Sequence, residues 1–456
     1  VLVFFDLSEI NMDLPTFEDL FKELKLNFWL IGIPYDKTGI TIRYFVLSIW
    51  LTLMLIEEIA FFVSRISAEN ILELANLAPC TCMGILSLIK VNLMTYKKSD
   101  IFKLTKELRI LYQEMCNDHK KREVVQQGIL RVKSFIRYYF SLNLVLISVY
   151  NFFTLVYIPY VYLKTGELVF SLPYAVIVPF PIDRWSTWTV VYLHSILSVM
   201  LIIFSISYIS GLICVLYFAT VDCLYCIMTH LVCSYFSVIS NEIEHLNNVS
   251  LTDLKRIVVR HQHILKLSDD LEDIFRGPNL YNVLFGSLVI CALGFNLTAG
   301  EWARIPGLIL FLTSVLSQIL MMSVFGENLI SESKKIGDAA FLCEWYEMDE
   351  KRKKIILMLM TRSNKPCRLT AYKFSTISYG SFTKVNKYMK LLIKVLFYQL
   401  RTLTPNLQFT SSARGFAGVK FIVFLGISKN QRRRIDFALL LQFHGAVALY
   451  TSKNME

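Results

Sequence analysis

A chain of 456 residues that is 55% apolar, 14% aromatic and only 18% charged, with a mean hydropathy of +0.49, is too poor in charge for an ordinary soluble protein, since soluble domains average about 25% charged residues. Its net charge of +11 does not mark a nucleic-acid binder, because the basic residues sit in short segments between apolar runs, as in the loops at a cytoplasmic membrane face. Composition therefore disfavours a string of soluble domains and a nucleic-acid partner, and selects an all-α membrane bundle.

No charged n-region, short apolar core and small-residue cleavage site opens the chain, so insertion is expected to start from an uncleaved helix. Residues 1–43 read as a cytoplasmic N-terminal segment. Six stretches then meet the roughly 20 apolar residues that a span needs, at about 44–64, 71–94, 136–160, 188–217, 279–300 and 306–326. A weaker seventh, about 380–402, carries Lys384, Lys387, Lys390 and Lys394. Orientation follows from Lys and Arg in the connections. Segments 95–135, 220–277 and 327–379 hold ten, five and ten, whereas 66–70, 163–187 and 298–305 hold none, two and one. The positive-inside rule puts the rich set in the cytoplasm and the N-terminus with it. Seven spans then leave the C-terminus outside, the reverse of a G-protein-coupled receptor.

Within span one, Glu57 and Glu58 are costly and are expected to face a cavity or a partner helix, either as a ligand or ion contact or as a structural polar contact. Lys90, near the inner end of span two, is expected to snorkel. The outer halves of spans two, three, four and six mix aromatic and small hydroxyl residues: Thr81; Tyr150, Phe153, Thr154 and Tyr157; Tyr192, Ser195 and Ser198; Phe311 and Ser314. That lining suits a small apolar molecule with one polar group, although ordinary helix packing uses the same residues. The outer loop "ELVFSLPYAVIVPFPIDRW", Glu167 to Trp185, has the prolines and aromatics of a structured cover, which adds Tyr174 and Phe180 to the candidate ligand residues.

The long connections carry their own pattern. "DCLYCIMTHLVCSYFSVISNEIEHL" runs on from span four with no Pro or Gly, and Cys223-x-x-Cys226 in it reads as buried thiols rather than a metal pair. His261-x-His263 reads as a solvated helix face, and Gly277-Pro278 as punctuation before span five. Asn248-Val-Ser250 matches a glycosylation sequon on the cytoplasmic side, where it is discounted. "EKRKKIILMLM", Glu350 to Met360, holds an apolar run too short to span, so it must pack on protein. Extensions of spans four to seven are expected to meet it in a cytosolic helical anchor, residues 327–379. No potassium-filter, Walker A, H-E-x-x-H or G-x-S-x-G motif occurs, which points away from an enzyme and from any cofactor or metal.

"FGENLISESKKIGDAAFLCEWYEMDEKRKKIILMLMTRSNKPCRLTAYKFSTISYGSFTKV", Phe325 to Val385, resembles the C-terminal signature of insect odorant receptors. "SLPYAVIVPFP" resembles that family's second outer loop. "PTFEDLFKELKLNFWLIGIPYD", Pro15 to Asp36, looks like the N-terminal segment of moth members. The resemblance covers about 12 to 405. It implies a seven-helix, N-inside, odorant-specific subunit of a heteromeric ligand-gated cation channel in the plasma membrane of the sensory dendrite, assembled with the family's co-receptor into a tetramer and binding a small volatile odorant in the outer half of the bundle. It also implies that the last helix, 380–405, lines the pore, with Gln399 and Thr402 on one face; "LFYQLRT" has Gln399 where the family usually carries an aliphatic residue. A gustatory receptor of the same superfamily and, in a different class, a secondary transporter are the alternatives, the latter lacking the inverted repeats it would need. Residues 1–11 and 406–456 lack the family pattern and are expected to be gene-model artefacts.

Overall fold

The computed structural model describes residues 14–34, 39–64, 71–165, 197–246, 250–299, 305–383 and 387. Short helices α1 (Phe17–Leu20) and α2 (Lys22–Ile31) come first. Thr16 starts α1 with a reciprocal cap: its hydroxyl accepts from Asp19 N at 3.2 Å while Asp19 Oδ2 accepts from Thr16 N at 3.3 Å, the capping-box exchange that satisfies two orphan donors. Gly32 ends α2 at φ 88°, a left-handed position that favours glycine; a Cβ there would also lie 2.5 Å from Tyr44 N. Phe17, Phe21, Leu24, Phe28 and Ile31 are buried, so this segment is packed onto the bundle, with Tyr112 donating to Pro15 O.

The long helices are α3 (Ile42–Ser64), α4 (Ile71–Tyr96), α5 (Lys98–Asn117), α6 (His119–Thr165), α7 (Leu197–Glu244), α8 (Leu251–Ala299) and α9 (Ile305–Leu342). Among the described residues, six of them (all but α5) are long and apolar enough to cross a membrane. The seventh expected span lies outside the described residues apart from its first turn, as do the segments 1–11 and 406–456. At 1.5 Å per residue a hydrocarbon core takes about 20 residues. Helices α6, α7, α8 and α9 have 47, 48, 49 and 38, so each is longer than one crossing needs. Helix α5 packs against α6, α7 and α8 in one group. Half-buried ion pairs tie it together: Arg260 on α8 reaches Glu242 on α7 at 2.5 Å and Glu114 on α5 at 3.4 Å, and Lys121 on α6 reaches the same two carboxylates at 3.5 and 3.0 Å.

Proline does not end α8. The helix runs unbroken through Gly277-Pro278, against the punctuation expected from the dipeptide. Proline removes one ladder bond but needs room on the far side of the turn, and packing supplies what is lost: α8 lies along α4, with Leu93 3.2 Å from where a Gly277 Cβ would be.

Beyond α9, a 3-10 turn (Trp345–Glu347) leads to α10 (Glu350–Ser363). Asp349 caps α10 by accepting from Arg352 N at 3.3 Å. Its apolar run does pack on protein: Ile356 and Leu359 are buried against the bundle, although Leu357 and Met358 remain exposed. A two-residue hairpin follows, β1 (Thr370–Ala371) with β2 (Ser375–Thr376). Its turn holds Tyr372 and Lys373 at positive φ. The hairpin explains two residues of the C-terminal signature. A Cβ on Gly326 would sit 2.2 Å from Ile377 O, so only glycine lets the backbone after β2 lie on α9, and Glu327 beside it accepts from Tyr379 N at 3.2 Å.

Candidate functional site

Midway along the described spans, α3, α4, α6, α7 and α9 leave a cavity of about 80 Å³. Its walls are apolar: Leu51, Met54 and Leu55 from α3, Met83 from α4, Leu146 and Ile147 from α6, Val215 and Phe218 from α7, and Phe311 from α9. Gly84 contributes space rather than surface. A Cβ there would meet Leu55 Cδ2 at 2.7 Å, and that close approach holds α3 against α4. A few polar groups interrupt the wall: Glu58, Ser210 and Ser314, with the thiols of Cys80 and Cys214. An apolar enclosure with a small number of placed polar groups is the usual form of a small-molecule site.

Each polar group is held. Thr81 donates to Glu58 Oε2 at 2.9 Å. The Trp50 indole donates to Ser210 Oγ at 2.9 Å. Ser314 donates to Asn143 Oδ1 at 2.8 Å, and Asn143 Nδ2 is itself spent on Tyr139 O at 2.8 Å. Cys214 donates weakly to Met83 O at 3.5 Å.

From Ser314 and Asn143 the polar contacts continue toward the basic end. Asp222 on α7 is 1% exposed and pairs with Lys90 of α4, itself 0% exposed, at 2.6 Å. Gln318 of α9 donates to Asp222 Oδ2 at 2.6 Å, Tyr139 of α6 to the same oxygen at 3.2 Å, and Asn282 of α8 to Oδ1 at 3.5 Å. One carboxylate thus gathers donors from four other helices. A buried charge is tolerated only when it is paired and its lone pairs are filled, and here both conditions hold.

Several expectations change at this point. Lys90 does not snorkel; its ammonium turns inward because a carboxylate awaits it inside the bundle. Asp222, its partner 132 residues away, is the residue the sequence reading missed, although an aspartate in the apolar run "VLYFATVDCLYC" was the available signal. Glu57 is exposed on the surface of the described bundle while Glu58 is turned toward the cavity: neighbours on a helix point about 100° apart, so only one of the pair can face inward. His261 is buried at 3% exposure, edge-on to Phe236, rather than on a solvated face. His263, half-exposed, lies 3.5 Å from Glu107. Cys223 and Cys226 are free, buried thiols. Among the described residues no group of His, Cys, Asp and Glu is arranged to hold a metal.

Of the candidate ligand residues, Phe311 and Ser314 line the cavity and Thr81 positions Glu58 behind it. Tyr150, Phe153, Thr154 and Tyr157 lie on α6 and Ser198 in the first turn of α7, with side chains outside the described set. Tyr174, Phe180, Tyr192, Ser195 and the pore candidates Gln399 and Thr402 fall outside the described residues.

The chain as a whole has counterparts in known proteins. Residues 70–389 match the family model described as 7tm Odorant receptor. Odorant receptor 85b of Drosophila melanogaster is 25% identical over 385 residues, 80% of this chain and 95% of that relative. Odorant receptor 67c of the same fly is 24% identical over 351 residues, 73% of this chain and 82% of that relative. An odorant receptor coreceptor of Anopheles gambiae matches over 134 residues at 27% identity, 29% of this chain and 28% of that relative. The fold is that of the insect olfactory receptor OR5 from Machilis hrabei in complex with eugenol, with a TM-score of 0.67 at 13% identity, covering 83% of this chain and 98% of that one.

Proposed function

Because this chain belongs to the insect 7tm odorant receptor family, a family of multi-pass membrane receptors and not of enzymes, we propose that it is an odorant-binding subunit of a heteromeric, ligand-gated cation channel. It sits in the plasma membrane of a sensory neuron with its basic end in the cytoplasm. The partner is a co-receptor subunit, and the match to a coreceptor relative supports that pairing. The cavity between α3, α4, α6, α7 and α9 takes the volatile; the observation that carries this is its apolar lining with a few fixed polar groups at mid-bundle. Phe311 and Ser314 contact the ligand together with Tyr150, Phe153, Thr154, Tyr157, Tyr192, Ser195 and Ser198 of spans three and four, beneath an outer-loop cover that includes Tyr174 and Phe180. Ligand binding shifts α7 and α9, whose extensions pass the change to the anchor and thence to a pore formed by the last helix of each subunit, with Gln399 and Thr402 facing the ions.

The deciding experiment is co-expression with a co-receptor in cells lacking other receptors. Odour-evoked cation current without added G protein is expected. A current that needs G-protein signalling, or uptake of a solute without current, would replace the channel reading. Epitope tags at 115–120 and at 170 test the topology: the first should be protected and the second exposed in intact cells.

A further inference from the structure

The polar groups of the cavity are not interchangeable, and their hydrogen-bond directions restrict what can sit among them. Ser314 lines the cavity but has already given its single proton to Asn143 Oδ1 at 2.8 Å. Asn143 cannot be flipped to return it, because its Nδ2 is held by Tyr139 O at 2.8 Å. What Ser314 offers the cavity is therefore lone pairs only. Ser210 oxygen is engaged by the Trp50 indole at 2.9 Å, and the Cys214 thiol proton points to Met83 O at 3.5 Å. Glu58 accepts from Thr81 on one oxygen, its hydrogen-bond partner among the described residues, and a carboxyl retains an acceptor oxygen in either protonation state. As a carboxylate Glu58 presents only acceptors to the cavity, and so does Ser314.

Resting on the receptor reading above, we propose that this cavity selects volatiles that bring their own hydrogen-bond donor on an apolar body, namely alcohols, phenols and small amines, with Glu58 accepting the donor and Thr81 positioning Glu58. An ether, aldehyde or ester of equal size brings only acceptors. It would lie against the acceptors of Glu58 and Ser314, where a polar group without a partner loses affinity in a dry site. Thr81 keeps its hydroxyl on Glu58 Oε2, so the other oxygen is the one that turns to the ligand.

The test uses the full chain co-expressed with a co-receptor and ligand sets on one carbon skeleton: a primary alcohol, its methyl ether, the matching aldehyde and the primary amine. In the wild type the alcohol or amine should act at concentrations about tenfold or more below the ether and aldehyde, the scale of one hydrogen bond to a charged group. Glu58→Leu should close that gap to within about threefold, chiefly by weakening the alcohol and the amine, and Glu58→Gln, which keeps an acceptor oxygen but adds an N–H donor and removes the charge, should spare the alcohol, improve the ether and aldehyde and lose the amine's advantage. Surface biotinylation reports whether each variant reaches the membrane; if Glu58→Leu does not, Glu58→Gln alone decides through the amine. An aldehyde or ether as the best wild-type ligand, or a Glu58 variant that shifts alcohol and ether equally, overturns this inference and leaves the receptor reading standing. A wild type that reaches the surface yet answers no volatile overturns both.

Discussion

Helices α3 and α7 are almost equally apolar, yet 17% of the apolar stretch of α3 is buried within the chain and 83% of that of α7. On α3 the exposed residues Ile42, Phe45, Ile49, Leu53, Ile56, Ile59 and Val63 recur every three or four positions, a stripe available to lipid. Helix α7 packs against α9, α6, α4 and α8 and has almost no lipid face along its buried length. The difference teaches where polar residues can be placed. In lipid every polar atom must be satisfied internally, so α7 can carry Asp222 only because four neighbours supply donors. Helix α3 confines its one inward carboxylate, Glu58, to the edge of the cavity.

The largest expected effect strikes the buried side of that comparison. Asp222→Ala leaves Lys90 as an unpaired cation inside the bundle, which costs about 3–5 kcal/mol in comparable cases; most of the receptor should be retained inside the cell and lose its thermal transition in detergent. The double change Lys90→Met with Asp222→Leu removes both charges and should recover much of the surface fraction. Equal loss in the single and double variants would show that the pair is not the source of the cost.

Next in size is a steric test of the same rule at the anchor, where α9 is buried by backbone rather than by side chains. Gly326→Val would drive a side chain into Ile377 O, 2.2 Å from the Cβ position, and overpacking of this kind costs about 1–3 kcal/mol. Loss of assembly with the co-receptor by co-purification is the expected result.

A smaller effect sharpens the contrast between buried and exposed positions on a single helix. His261, outside the spans, is buried, which with Arg362 nearby pushes its pKa down to about 4. Its unfolded form takes up a proton near the ordinary value of about 6.5, so acidification favours the unfolded chain first. The stability this neutral imidazole contributes is whole above that pH and declines as pH falls toward 4. Melting temperature in detergent should fall between pH 7.5 and 5.5, and His261→Phe should flatten part of the slope whereas His263→Phe should not.

The smallest effect belongs to the lipid face. Leu53→Ala on α3 leaves no cavity in protein and should change stability by no more than about 0.5 kcal/mol, read as an unshifted melting transition. A shift comparable to that of Gly326→Val would mean that α3 is covered by another protein surface rather than by lipid.

Hydropathy was enough to place six apolar helices long enough to cross a membrane and the apolar run of α10 on protein, because these depend on residues near one another in the chain and on a solvent that is the same for every helix. The C-terminal signature was recognisable in the sequence, but the reason Gly326 and Glu327 belong to it was not, because their contacts are with Ile377 and Tyr379 in a distant segment. What the sequence could not determine was which side of each helix meets protein. Lys90 read as a residue reaching for water until Asp222 stood beside it. Glu57 and Glu58 read alike until one lay on the surface of the described bundle and the other at the cavity, and Pro278 read as a stop until α4 lay along the turn it weakens. In each case the deciding partner is on another helix, as much as 132 residues away, and a buried charge or a proline is stable or not according to that partner alone. The tertiary structure decided those, and with them which polar atoms the cavity offers a ligand.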